Sequence, residues 1–179
     1  MLRSLLALLL ALALTGGLAA CGGGDDASGE SAATPIPVPQ DPAADIQRIV
    51  EGLNDDLKSK PEIAAPQGSP PATLEKRDIV RGAGPKAKAG DSLTMEYVGV
   101  SWSTGVEFDA SWGKEAFSFD DLGQGQVIAG WNEGLIGMRK GGRRLLVIPA
   151  DKGYGPQGSP PAIGPNETLI FAVDLIRIR

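Results

Sequence analysis

Hydrophobic and polar positions follow three different patterns along the chain. Leu5 to Leu14 is an unbroken run of Leu and Ala. Between residues 45 and 58, Ile46, Ile49, Val50, Leu53 and Leu57 fall on one face at helical spacing. Asp45 is placed to cap that helix, Pro61 lies just beyond it, and Gly52 weakens it. From Ser92 the period becomes two. Leu93, Met95 and Tyr97 alternate with Thr94, Glu96 and Val98, the pattern of a half-buried strand. Arg143–Ile148 and Thr168–Ile178 read as two further strands, Phe117–Phe119 as a short one, and residues 74–81 as an edge strand. Gly or Pro clusters separate these segments.

Only one helix is predicted among the strands, over Val127–Gly137, with Ile128, Trp131 and Leu135 on one face. One short helix cannot supply the crossovers of a parallel sheet. The expected fold is therefore α+β, a mainly antiparallel sheet with the helix against its concave face.

The first run is too short to span a bilayer, which takes roughly 20 apolar residues. Arg3 precedes it and Leu18-Ala19-Ala20-Cys21 ends it, as in a secretory signal over residues 1–20. This ending resembles the bacterial lipobox, in which the cysteine is lipidated after cleavage. The other reading is ordinary cleavage after Ala20, leaving Cys21 as a free thiol. Lipidation accounts for an unpaired cysteine in an exported protein. It predicts a membrane-anchored lipoprotein on the outer side of the cytoplasmic membrane, or on a periplasmic or outer-membrane face.

Residues 22–42 are rich in Gly, Ser, Ala, Asp and Pro, a composition suited to an extended tether. The domain division expected is signal 1–20, anchor and linker 21–59, and a folded domain 60–179. The 45–58 segment is then a short helix packed on the domain or partly formed. The alternative is an interfacial or partner-binding helix, disfavoured by its non-basic polar face. The heptapeptide PQGSPPA occurs at 66–72 and again at 156–162, both in predicted loops. The flanking residues differ, so the repeat is not a domain duplication.

Composition removes whole classes of chemistry. The 179-residue chain has no histidine and one cysteine. Ser-His-Asp and Cys-His catalysis, His-based zinc sites, intrachain disulfides and CxxC redox pairs are all excluded. A net charge of −5 without a dense basic block argues against nucleic-acid binding.

The stretch Gly90–Arg179 carries a series of motifs in order. Tyr97-Val98-Gly99 comes first, then Gly105-Val106-Glu107-Phe108-Asp109 and Phe117 with Phe119. Gly125 to Trp131, Gly137-Met138, Gly141-Gly142 and Tyr154-Gly155 follow, and Ile163-Gly164-Pro165 and Leu169-Ile170-Phe171 close the series. Together they resemble the FKBP-type peptidyl-prolyl cis/trans isomerases.

That resemblance implies a five- to six-stranded antiparallel sheet wrapped around one short helix, with a proline pocket between them. Trp131 would be the floor and Tyr97, Phe108, Phe117 and Phe171 the walls. Val127 and Ile128 would form the rim, with the Ile128 N–H offered to a substrate carbonyl. Tyr154 would donate a hydroxyl, Asp109 would be a buried carboxylate at the edge, and Ile163 would close the far side. Many members pair an arginine with that Asp; none stands here, and the sequence leaves open whether Lys114 replaces it. The implied partners are proline-containing exported polypeptides and macrolide ligands. The implied enzyme is a monomer that uses no cofactor or metal. The competing class is an FKBP-like binding or chaperone module with little turnover. Taken without the resemblance, the same aromatics would read as core rather than as a pocket.

Such residues suffice for prolyl isomerisation. The barrier to amide rotation, about 20 kcal/mol, comes from conjugation. Lowering it requires tighter binding of the twisted amide than of either planar form, with no proton transfer.

Overall fold

The computed structural model describes residues 41–125 and 127–179. Cys21, the signal segment and most of the linker lie outside the described residues, as does Gln126.

Six strands form one antiparallel sheet: β1 (Glu75–Val80), β2 (Leu93–Ser101), β3 (Glu107–Ala110), β4 (Phe117–Phe119), β5 (Arg143–Ile148) and β6 (Leu169–Ile178). The order is β1-β5-β6-β2-β3, with β4 also paired to β2. Strands β3 and β4 share one edge of β2, at Val98–Val100 and Leu93–Met95 respectively. Helix α2 (Ala129–Gly134) packs on the inner face. This is the expected antiparallel sheet around a short helix. Strand β3 was not expected: four residues, EFDA, show no alternation long enough to register.

Helix α2 is shorter than the 127–137 expected. Ile128 is its N-cap and Leu135 its C-cap. It sits close to β5 because a Cβ on Gly130 would come within 2.3 Å of Ile148. That approach lowers Trp131 into the core cluster with Leu146, Ile148 and Phe171.

The sheet is covered on both faces. In β5 and β6, Leu146, Ile148, Leu169, Phe171 and Val173 point inward. Their alternates Leu145, Val147, Ile170 and Ala172 point outward, as the two-residue period requires. Helix α1 (Pro42–Gly52) covers that outer set with Ile46 and Ile49, joined by Leu53 and Trp102. Ile63 and Trp112 pack against the outward Val98, Val100 and Ala110.

The helix expected in the linker is therefore packed on the domain, and the compact unit begins well before Lys60. Two details of that helix differ from expectation. Asp41, not Asp45, is the N-cap, its carboxylate accepting from Ala43 N at 2.9 Å, with Pro42 opening the helix. Asp45 is instead buried in the first turn. It accepts from Gly68 N at 2.6 Å and Gln67 N at 3.3 Å, and pairs with Arg48. The first copy of the repeated heptapeptide is thereby fastened to α1, and Trp102 Nε1 donates to Gly68 O at 2.9 Å.

A second tie is the fully buried Arg143. Its guanidinium donates to both oxygens of Asp174 at 2.7 Å, to Asn54 O at 2.8 Å and to Ser59 O at 3.0 Å. One side chain thus joins two central strands to the segment that follows α1.

Candidate active site

Between α2 and the inner face of the sheet lies an open cavity of about 520 Å³. Nine of the ten positions singled out by sequence line it: Tyr97, Phe108, Asp109, Phe117, Val127, Ile128, Trp131, Tyr154 and Phe171. They come from β2, β3, β4, the segment leading into α2, α2 itself, the loop after β5, and β6.

The rings meet edge to face. Trp131 lies 5.2 Å from both Tyr97 and Phe171, and 5.6 Å from Phe117, between ring centroids. Phe108 stands against Phe171 at 5.5 Å with an interplanar angle of 88°. Such pairs add about 0.5–1.5 kcal/mol each beyond burial and hold the rings at fixed angles. Gly99 makes the arrangement possible. A Cβ there would fall 2.7 Å from Phe108 and 2.8 Å from Phe171.

The polar groups lie at the rim. Tyr97 donates its hydroxyl to Asp109 in a short hydrogen bond. Burial, then the hydrogen bond to Asp109 and the charges of Asp109 and Tyr154, hold the Tyr97 phenol above the ordinary phenol range. Tyr97 is therefore neutral throughout the neutral range and acts as a donor. The Ile128 N–H has no protein acceptor among the described residues. Trp131 Nε1 is also buried without one.

Two expectations are corrected. Asp109 is not buried: its side chain is 48% exposed, because β3 is an edge strand and the cavity opens beside it. Lys114 Nζ approaches it to 3.8 Å, a loose, exposed pair rather than a fixed arginine partner. Ile163 does not line the cavity. Mutual backbone bonds with Ser159 turn it inward, and it is buried with Trp131 and Phe171 in the core.

Sequence reasoning missed four supporting residues. Gly125 joins the lining. Asn132 accepts from Gly123 N at 2.8 Å and donates to Val127 O at 3.1 Å, which fixes the segment leading to Ile128. Its signal was a polar residue beside Trp131 on a short apolar helix. Ser111 Oγ accepts from Tyr97 N at 2.9 Å and donates to Glu96. Lys152, two residues before Tyr154, donates to both Glu133 oxygens at 2.7 and 2.8 Å, tying that loop to α2. Among the described residues, no three His, Cys, Asp or Glu side chains gather to hold a metal ion.

A deep, ring-lined cavity with donors at its rim suits a compact apolar ring attached to a carbonyl. Residues 84–176 match the family described as FKBP-type peptidyl-prolyl cis-trans isomerase. The chain is 51% identical over 120 residues to an FK506-binding protein of Streptomyces anulatus, spanning 66% of this chain and 97% of that protein. It is 46% identical over 93 residues to human peptidyl-prolyl cis-trans isomerase FKBP2, spanning 52% and 65% of the two chains. Among solved structures it is similar to AtFKBP13, with a TM-score of 0.55 and 33% identity over 61% of this chain and 95% of that one. It is also similar to a peptidyl-prolyl cis-trans isomerase of Pseudomonas syringae, with a TM-score of 0.52 and 33% identity over 59% and 74%. The chain belongs to the FKBP family of peptidyl-prolyl cis/trans isomerases.

Proposed function

We propose that this enzyme isomerises Xaa-Pro bonds of exported polypeptides in the cavity between α2 and the sheet, and that Cys21 anchors it to a membrane. The observation that carries the catalytic reading is the convergence of Tyr97, Phe108, Phe117, Trp131 and Phe171 on one open cavity, beside an Ile128 N–H with no acceptor among the described residues. A ring set assembled for packing alone would be closed.

The pyrrolidine ring enters against Trp131, between Phe108 and Phe171. The apolar walls strip water from the amide, and a less solvated amide has less charge separation to lose on twisting. The Ile128 N–H and the Tyr154 hydroxyl are donors for the rotating carbonyls. Asp109 accepts from Tyr97 and so sets that ring's orientation. No bond breaks and no proton moves; the enzyme gains rate by holding the twisted form more tightly than the planar ones. Relatives bear the name FK506-binding protein, which supports FK506 as a competing ligand of the same cavity.

The export reading is supported by the Arg3 flank, the apolar run and the Leu-Ala-Ala-Cys ending. Two experiments test the two halves. Full-length protein should accelerate cis/trans exchange of an Xaa-Pro peptide, and FK506 should abolish the acceleration. Absence of turnover with peptide still bound would identify a binding module instead. Cys21→Ser should move the protein from the membrane fraction to the soluble one or block maturation; unchanged membrane association would exclude the anchor.

A further inference from the structure

A second cavity, of about 590 Å³, shares Phe108 with the first. It lies between the turn joining β2 to β3 and the loop that precedes β6. Val106, Pro161 and Ala162 are exposed along it, and Phe108 is shared with the proline cavity. Two carboxylates stand in its lining, and they differ. Glu107 is exposed and already paired with Lys60, at 2.8 Å. Glu167 is half-buried and has no cationic partner among the described residues. Its oxygens are held by Ser103, through N at 2.9 Å and Oγ at 2.6 Å. The carboxylate is therefore fixed in place, with its charge uncompensated.

We propose that this cavity is a side-chain subsite of the isomerase, and that it selects substrates carrying Lys or Arg near the proline. The inference rests on the proline-site reading, because the occupant is the same polypeptide. An extended chain advances about 3.3–3.6 Å per residue, so a chain whose proline rests against Phe108 brings a neighbour into the adjoining cavity within a residue or two. An apolar wall ending in a fixed carboxylate suits a side chain with a methylene stem and a cationic head. Val106, Pro161 and Ala162 take the stem. Glu167 takes the charge. Ser103 holds Glu167 without neutralising it. A neutral side chain would gain only the wall, and an acidic one would meet a like charge.

The test uses full-length protein and peptides that differ at one position. Lys, Arg, norleucine or Glu is placed one, two or three residues to either side of a fixed Xaa-Pro bond. Exchange spectroscopy gives kcat/KM, and titration on the same samples gives Kd. On one side of the proline, Lys and Arg should exceed norleucine by about three- to fivefold, the scale of a partly exposed ion pair. Glu should fall below norleucine. The preference should shrink at high salt. Glu167→Gln should bring the Lys-to-norleucine ratio to about one, and Glu167→Lys should invert it toward Glu peptides. Equal values for Lys and norleucine at every position, or a ratio that survives Glu167→Gln, would overturn the proposal. The norleucine peptide reads the proline site by itself. If no peptide is turned over, the isomerase reading fails, and the charge preference in Kd still decides the subsite.

Discussion

Tyr97 on β2 donates its phenol hydrogen to Asp109 on the neighbouring β3, and this bond joins the aromatic wall of the cavity to a carboxylate of its lining. The strand pairing makes it possible: Gly99 lies opposite Asp109, so Tyr97 is two residues along the same edge. Tyr97→Phe and Asp109→Ala each remove this bond, the alanine also releasing Ala110 N and Lys114. Each should lower kcat/KM about two- to tenfold, the range of one net hydrogen bond. The double variant should cost no more than the worse single, because both remove the same interaction. A double-mutant cycle on purified protein checks this; additive losses would mean that the two groups act separately.

Catalysis should be flat with pH between about 5.5 and 8. The chain has no histidine, and ordinary carboxylates and phenols titrate near 4 and 10. A proton-free mechanism predicts no limb in that window, whereas acid–base catalysis would give one. The profile of kcat/KM, with folding monitored at each pH, is the measurement.

Stability should respond at high pH instead. Unfolded Tyr97 ionises near 10, and in the folded protein its phenol is held higher. Above about pH 10 the unfolded chain loses a proton that the folded one keeps. Tyr97 thus contributes stability that is present in full below 10 and declines as pH rises beyond it. In Tyr97→Phe the fall in denaturation midpoint between pH 9 and 11 should be shallower than in the wild type.

Ile49→Ala should destabilise the protein by about 2–5 kcal/mol, the cost of truncating a fully buried aliphatic side chain, without changing kcat/KM. A helix docked loosely on the sheet would give no change in urea midpoint. The result separates α1 as part of the fold from α1 as linker.

Gly99→Ala should act on both stability and activity. Its methyl would drive into Phe108 and Phe171, an overpacking cost of about 1–3 kcal/mol, and the displaced rings belong to the cavity. Thermal unfolding and ligand affinity should fall together.

Much of this molecule is visible in its sequence, and the exceptions have physical causes. Alternation marks β2 because its first half has one inner face, Leu93 and Met95, against half-buried neighbours. The apolar runs of β5 and β6 are continuous because α1 covers the outer face, a tertiary fact that the strands alone do not disclose. Strand β3 is too short to show a period, yet its Phe108 and Asp109 are recognisable by motif. Motif gives a residue's place in the chain and not its exposure. Asp109 was therefore expected buried, where an edge strand leaves it open, and Ile163 was expected in the lining, where a backbone bridge turns it into the core. The same gap explains Asp45. Helical spacing placed it at a cap, and its partners Gln67 and Gly68 lie too far along the chain to be foreseen.

The central claim is that the cavity around Trp131 is where Xaa-Pro bonds rotate. Phe117 offers the cleanest test, since its ring forms a wall and is 36% exposed, so its removal spares most of the core. The measurement is the catalysed cis/trans exchange rate of one Xaa-Pro peptide, by exchange spectroscopy, for wild type and Phe117→Ala. Wild type should accelerate exchange, and the variant, still folded by circular dichroism, should lose about tenfold in kcat/KM, equivalent to about 1.4 kcal/mol of transition-state binding. A folded variant with wild-type exchange rates would contradict the account.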